Sequence, residues 1–212
     1  MTAPADVRLV LASASPARLA TLRHAGLDPE VMVSGVDEST VRAEDVAGLT
    51  ARLARLKAAA VASRVVPGPA PVVVVGCDSL LELDGVGHGK PGTPALAIER
   101  WRRMRGRSGV LHTGHQVIVV GPGAGTAAAV ASTTVHFADL SDAELEAYVG
   151  TGEPLQVAGG FTVDGLGGPF VSGIEGDHHN VVGISLPLLR TMLGELDVPW
   201  TDLWADPDQP PG

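Results

Sequence analysis

Four consecutive valines, Val72 to Val75, run directly into Gly76-Cys77-Asp78-Ser79. Side chains on a strand alternate between faces, so an unbroken apolar run predicts a strand buried above and below the sheet. A carboxylate and a hydroxyl follow at once. In open α/β sheets the crevice outside the carboxyl ends of the strands is where ligands bind. Asp78 therefore falls where a general base or a metal ligand is useful. A carboxylate that caps the next turn is the plainer reading of the same residue.

A chain of 212 residues is long enough for a full core, as one large domain or two closely joined lobes. Aromatic residues make up only 3%, which leaves Val, Leu, Ile and Ala to fill that core. The net charge of −9 argues against a nucleic-acid polymer as partner, while a local cluster of Lys and Arg can still bind a phosphorylated small molecule. Cys77 is the only cysteine, so no disulfide forms within the chain, which fits a reducing compartment. No apolar run approaches the roughly 20 residues that span a bilayer. Met1 to Arg8 is too short and polar for a signal peptide. The expectation is a cytoplasmic protein with no membrane partner.

Strands and helices alternate early and antiparallel pairs come later, which predicts a mixed, twisted α/β sheet with flanking helices. Val7 to Ala12 reads as a strand. Ser15 and Pro16 then open a helix that Gly26 ends. Val31 to Val33 reads as a strand, and about Glu44 to Val65 as a helix with Val46, Leu49, Leu53, Leu56 and Ala60 on one face. Leu80 to Leu83 is expected to be a hairpin arm turning at Asp84-Gly85. Pro94 to Met104 is helical. Val117 to Val120 and Val130 to Phe137 read as strands joined by the turn Gly121 to Gly125. Ser141 and Glu144 form a capping box. Gly159 to Val171 reads as a bent hairpin, and Leu186 to Leu196 as a last helix. Residues 1–205 are expected to form one domain, with a disordered tail over 206–212.

The junction Ser13-Ala14-Ser15-Pro16 has the makings of an anion site. First-turn N–H groups are unpaired and the helix dipole is positive there. Ser13 and Ser15 add hydroxyls, and Arg18 lies one turn in. Lys57 sits about 40° from Leu53 on a helical wheel, at the rim of the buried stripe, where a lysine snorkels or reaches into a cleft. Lys90 follows on a loop. Together Ser13, Arg18, Lys57 and Lys90 can neutralise a polyphosphate, while Glu38 and Asp78 can hold Mg²⁺ through hard oxygens shared with phosphate. His112 with His115, and His178 with His179, lack zinc spacing. Cys77 after four valines reads as a small buried hydrophobe rather than a nucleophile.

These segments together resemble the Maf family of nucleoside triphosphate pyrophosphatases. The matching pieces are Leu-Ala-Ser-Ala-Ser-Pro-Ala-Arg at 11–18, Val-Asp-Glu at 36–38, Leu-Ala-Arg-Leu-Lys-Ala at 53–58, Gly-Cys-Asp-Ser at 76–79 and Gly-Lys-Pro at 89–91. Gly-Arg at 106–107, His-Thr-Gly at 112–114, Gly-Glu-Pro at 152–154, Ala-Gly-Gly-Phe at 158–161 and Asn-Val-Val-Gly at 180–183 continue the order. The resemblance implies an inosine-triphosphatase-like fold with two lobes around a nucleotide cleft. It also implies cleavage of a nucleoside triphosphate to the monophosphate and pyrophosphate, with a divalent cation, Mg²⁺ or Mn²⁺. By the family pattern Asp78 accepts the proton of the attacking water. Ser13, Arg18, Lys57 and Lys90 contact phosphates, and Glu38 assists the metal.

Departures from that pattern bear on the base. Relatives that prefer dTTP and UTP carry Arg at the position of Ala17, Thr at that of Ser79, Asp-Lys at that of Gln156-Val157 and Gln at that of Asp164. The sister branch acting on 7-methyl-GTP also lacks that lysine, but has a bulky residue at position 17 and Gln at 79. A 7-methyl-GTP pyrophosphatase is thus the alternative enzyme. Since Val157 replaces the lysine, a nucleotide-binding regulator of septum formation is the alternative outside catalysis. Exposed sheet edges and apolar helix faces permit a homodimer.

Overall fold

In the computed structural model, which describes residues 7–205, the chain opens with strand β1 (Arg8–Leu11) and helix α1 (Pro16–His24). A short strand β2 (Glu30–Val31), a 3-10 turn at Glu38–Thr40 and helix α2 (Val46–Ala62) follow. Strand β3 (Val72–Leu83) and β4 (Val86–His88) make a hairpin around Asp84 and Gly85, both at positive φ. Then come α3 (Pro94–Met104), the 13-residue strands β5 (Ser108–Val120) and β6 (Gly125–Phe137), and α4 (Asp142–Gly150). The chain closes with β7 (Val171–Glu175), α5 (His178–Val182), α6 (Leu186–Glu195) and a 3-10 turn at Trp200–Leu203. No helix among the described residues is long and apolar enough to cross a membrane. The expected tail at 206–212 lies outside the described residues.

The strands form one mixed seven-stranded sheet in the order β2-β1-β3-β5-β6-β7, with β4 added beside β3. Strand β1 runs parallel to β2 and β3, and the remaining pairs are antiparallel. Register decides where the site falls. Along one edge β3 pairs with β5 from Val72 to Glu82. Along the other it pairs with β1 only as far as Val75, and with β4 only from Leu81. The stretch from Gly76 to Leu80 is therefore an open window in the sheet, just past the carboxyl end of β1. It contains Asp78 and Ser79.

The double-faced strand is as expected. Val73, Val75 and Cys77 join the core that β1 shares with α6, while Val72 and Val74 pack on the opposite face with Val61 of α2. A third cluster lies at the far end of β3 and β5, where Trp101 meets Phe137 and Tyr148 edge to face at 5.6 and 5.8 Å. Of the stripe read from the sequence, helix α2 buries Val46 and Leu53, and it buries Thr50, Ala54, Ala58 and Val61 beside them. Leu56 is exposed and Ala60 half-buried. The reason is Gly76. A Cβ there would lie 2.6 Å from the Ala54 carbonyl and 2.8 Å from Ala58, so the helix lies on strand backbone and only small residues fit beneath it.

Other boundaries moved for tertiary reasons. Leu80–Leu83 is no separate arm but continues β3, and β5 begins nine residues before Val117. The stretch from Ser108 to Gln116 has weak strand propensity, but β3 and β6 supply ladders on both sides. Helix α2 starts at Val46 because Asp45 caps it. The segment 159–171 is not a hairpin. Its N–H groups at Leu166 and Gly167 donate to the Glu153 carboxylate, which takes the place of a partner strand.

Candidate active site

The window in β3 opens into a cleft of about 710 Å³, within the usual range for small-molecule sites. Ser13, Ser15, Arg18, Glu38, Lys57, Asp78, Ser79, Lys90 and Asp164 all line it. They come from the β1–α1 turn, the segment before α2, α2 itself, β3, the loop after β4 and the segment after α4. The structure thus gathers every predicted site residue in one place.

Ser15 is the N-cap of α1, its Oγ accepting from the Arg18 N–H at 3.4 Å. Ser13 Oγ accepts from the Ser15 N–H at 3.2 Å and from Arg18 Nη1 at 3.0 Å. Its own hydroxyl proton is left to donate. Arg18 does more than wait for an anion. Its Nε donates to the Gly183 carbonyl at 2.7 Å and its Nη2 to Ser79 Oγ at 2.8 Å. Three of the five guanidinium N–H groups are thereby spent on protein. Arg18 ties β1, β3 and the α5–α6 junction together and keeps two donors. Ser79 Oγ also bonds Thr113 Oγ1 at 2.9 Å, and Thr113 in turn donates to the Asn180 carbonyl.

On the opposite face of β3, Lys57 Nζ lies 2.5 Å from Asp78 Oδ1 and 2.7 Å from Glu38 Oε1. Asp37 caps the 3-10 turn through the Ser39 N–H and hydroxyl, which presents Glu38 to the cleft and holds the Asp37 carboxyl below its usual range. Burial pushes the Asp78 carboxyl up, against the pull of the Lys57 ammonium and the more distant Arg18. Asp78 Oδ2 has no hydrogen-bond partner among the described residues. One oxygen is thus gripped while the other is free to take a proton. The two carboxylates converge on the one Lys57 ammonium, and hard oxygens converging in this way are the donor type that a divalent ion takes.

Several contributors escaped the sequence reading. Arg42 lines the cleft and braces its wall by donating to the Ser39 and Val41 carbonyls. Thr113 and Asn180 lie buried behind Ser79. His115 is also buried; its Nδ1–H donates to the Thr113 carbonyl at 2.9 Å, and its Nε2 accepts the Ser185 N–H at 2.9 Å. Burial lowers its pKa to about 4, so it is a neutral structural imidazole. His112 points the other way, to Ser132 and Glu82. Asp177, His178 and His179 have ligand-type atoms within 4.8 Å of one another, but Asp177 Oδ1 already caps α5. Cys77 is wholly buried, and burial raises its thiol to about 11, which leaves it inert.

The match to known proteins covers nearly the whole chain. It is 59% identical over 206 residues to a nucleoside triphosphate pyrophosphatase of Salinispora tropica, covering 97% of this chain and 91% of that protein. It is 55% identical over 202 residues to one of Cutibacterium acnes, covering 93% and 95%. Among solved structures, the Staphylococcus aureus Ham1 protein aligns with 62% of this chain and 72% of its own at 19% identity and a TM-score of 0.38, too loosely to build on. Residues 8–196 match the description "Maf-like protein". With that match and those relatives, the chain belongs to the Maf-like protein family.

Proposed function

We propose that the cleft hydrolyses nucleoside triphosphates between the α and β phosphates, releasing the monophosphate and pyrophosphate. The names of the relatives support the reaction. The observation that carries it here is the Lys57–Asp78–Glu38 group in the β3 window, facing Ser13, Arg18 and Lys90 across one cleft.

Chemistry on a triphosphate is mostly positioning and neutralisation of charge. Ser13 donates its free hydroxyl to a phosphate oxygen, and the α1 N-terminus adds positive potential beside it. Arg18, Lys57 and Lys90 offset the phosphate charge. Water attacks phosphorus as Asp78 Oδ2 takes its proton, and the anhydride oxygen leaves with pyrophosphate. Burial makes Asp78 a stronger base than an exposed carboxylate, while Lys57 keeps it ionised. A divalent cation, Mg²⁺ or Mn²⁺, belongs to this reading. Glu38 and Asp78 would hold it, and it would supply further neutralisation of the phosphates. Ser15, Ser79 and Asp164 complete the substrate surface, with Asp164 on the rim.

The test is pyrophosphate release from canonical, methylated and deaminated nucleoside triphosphates, with Mg²⁺ or Mn²⁺. Turnover of at least one supports the reading and ranks the bases. Binding without release from any of them overturns it in favour of a regulator.

A further inference from the structure

Helix α3 contributes no residue to the cleft, yet it holds two of the cleft's loops from behind. Arg100 Nη1 donates to the Gly89 carbonyl at 2.5 Å, one peptide before Lys90. The neighbouring Trp101 donates through Nε1 to the Gly160 carbonyl at 2.8 Å. The two loops are also joined to each other. Gly159 N–H donates to the same Gly89 carbonyl at 3.2 Å, and Gly92 N–H donates to the Leu155 carbonyl at 3.0 Å. They touch closely: a Cβ on Gly160 would lie 2.9 Å from the Pro91 ring. Lys90 is therefore bracketed by fixed peptides on both sides.

Arg100 is an expensive way to fill this space. It is 7% exposed, and no carboxylate lies within ion-pair distance among the described residues. Its Nε is buried without a partner, and burial lowers its pKa. An unpaired buried guanidinium costs more than an apolar side chain of similar length. Packing alone favours methionine here. Besides its charge, what arginine supplies and methionine cannot is the grip on the Gly89 carbonyl.

We propose that Arg100 is a positioning residue, which sets the Gly89–Lys90 peptide so that the Lys90 ammonium meets the triphosphate. This rests on the pyrophosphatase reading. The experiment is a double-mutant cycle in pyrophosphate release, using the triphosphate that the wild-type protein turns over fastest. The proteins are wild type, Lys90→Ala, Arg100→Met, the double variant and Arg100→Lys, each with its melting temperature. Arg100→Met is expected to lower kcat/KM about 10-fold through misplacement of Lys90. In the Lys90→Ala background the same change should cost less than about twofold, since its target is gone. Arg100→Lys, which keeps a donor, should recover most of the loss.

An undiminished penalty in the Lys90→Ala background overturns the proposal, because Arg100 then acts through the fold at large. So do wild-type kinetics in Arg100→Met. If Arg100→Met does not fold, Arg100→Leu, which also lacks a donor, carries the same cycle. Normal kinetics in Lys90→Ala overturn the placement of Lys90 and the role of Arg100 with it. A wild-type protein without turnover defeats the functional reading instead, and the cycle is then read as triphosphate affinity by the same criterion.

Discussion

Gly76 of β3 lies so close beneath Ala58 of α2 that a Cβ on the glycine would sit 2.8 Å from the Ala58 nitrogen. This contact brings the residue before it, Lys57, to the carboxylate two positions along the strand, Asp78. Gly76→Ala must push helix and strand apart. It is expected to destabilise the protein by about 1–3 kcal/mol, the usual cost of overpacking, and to lower turnover in molecules that remain folded. Denaturant unfolding and steady-state kinetics check both. Unchanged stability would mean that the helix shifts freely on the sheet.

The pH profile should report Asp78. The base works ionised, and in the metal-free protein burial raises its pKa, a direction that a divalent ion on the same carboxylate opposes. So kcat/KM should rise with pH, and the rising limb should lie lower at saturating than at limiting Mg²⁺. Lys57 opposes the rise. In Lys57→Met the rate falls overall, and the rising limb should move to higher pH. A limb that stays in place or moves down would separate the two residues.

Acid stability should depend on His115. The unfolded chain takes up the proton below about 6.5, while the folded protein takes it only near pH 4. A group with a depressed histidine pKa stabilises the fold above its unfolded value and loses that contribution as pH falls toward the folded one. Between pH 7.5 and 5 this is worth about 2 kcal/mol. Unfolding at both values should show that difference in wild type and a smaller one in His115→Gln. Equal differences in both would refute the assignment.

The rim that carries Asp164 should loosen without Glu153. Its carboxylate accepts from Tyr148 Oη at 3.1 Å, Thr162 Oγ1 at 2.5 Å, and the N–H groups of Leu166 and Gly167 at 3.0 and 3.1 Å. Glu153→Gln turns an amide donor toward some of these donors. A loss of about 1–3 kcal/mol is expected, with faster hydrogen exchange at Leu166 and Gly167. Exchange rates equal to wild type would show that the loop holds itself.

The features legible in the sequence are those set by neighbours along the chain. Ser15-Pro16 opens α1, Ser141 and Glu144 form their capping box, and Asp84-Gly85 turns the β3–β4 hairpin. α3 spans the predicted residues. The candidate site residues were named for the chemistry that their types allow, and the fold gathers them in one cleft. What escaped depends on distant partners. The small-residue face of α2 follows from a glycine on β3, and the irregular course of 162–167 from a carboxylate at 153. Arg18 read as an anion ligand, and its ties to Ser79 and Gly183 lie 61 and 165 residues away. No local pattern encodes such contacts.

Asp78 as proton acceptor is the central claim, and pyrophosphate release by Asp78→Asn tests it most directly. Asparagine keeps the size of the side chain and removes its basicity. Release should fall by about 10³-fold, within the span of general-base effects, while the variant stays folded and still binds the triphosphate. Turnover within a few-fold of wild type would contradict the account and take Asp78 out of the mechanism.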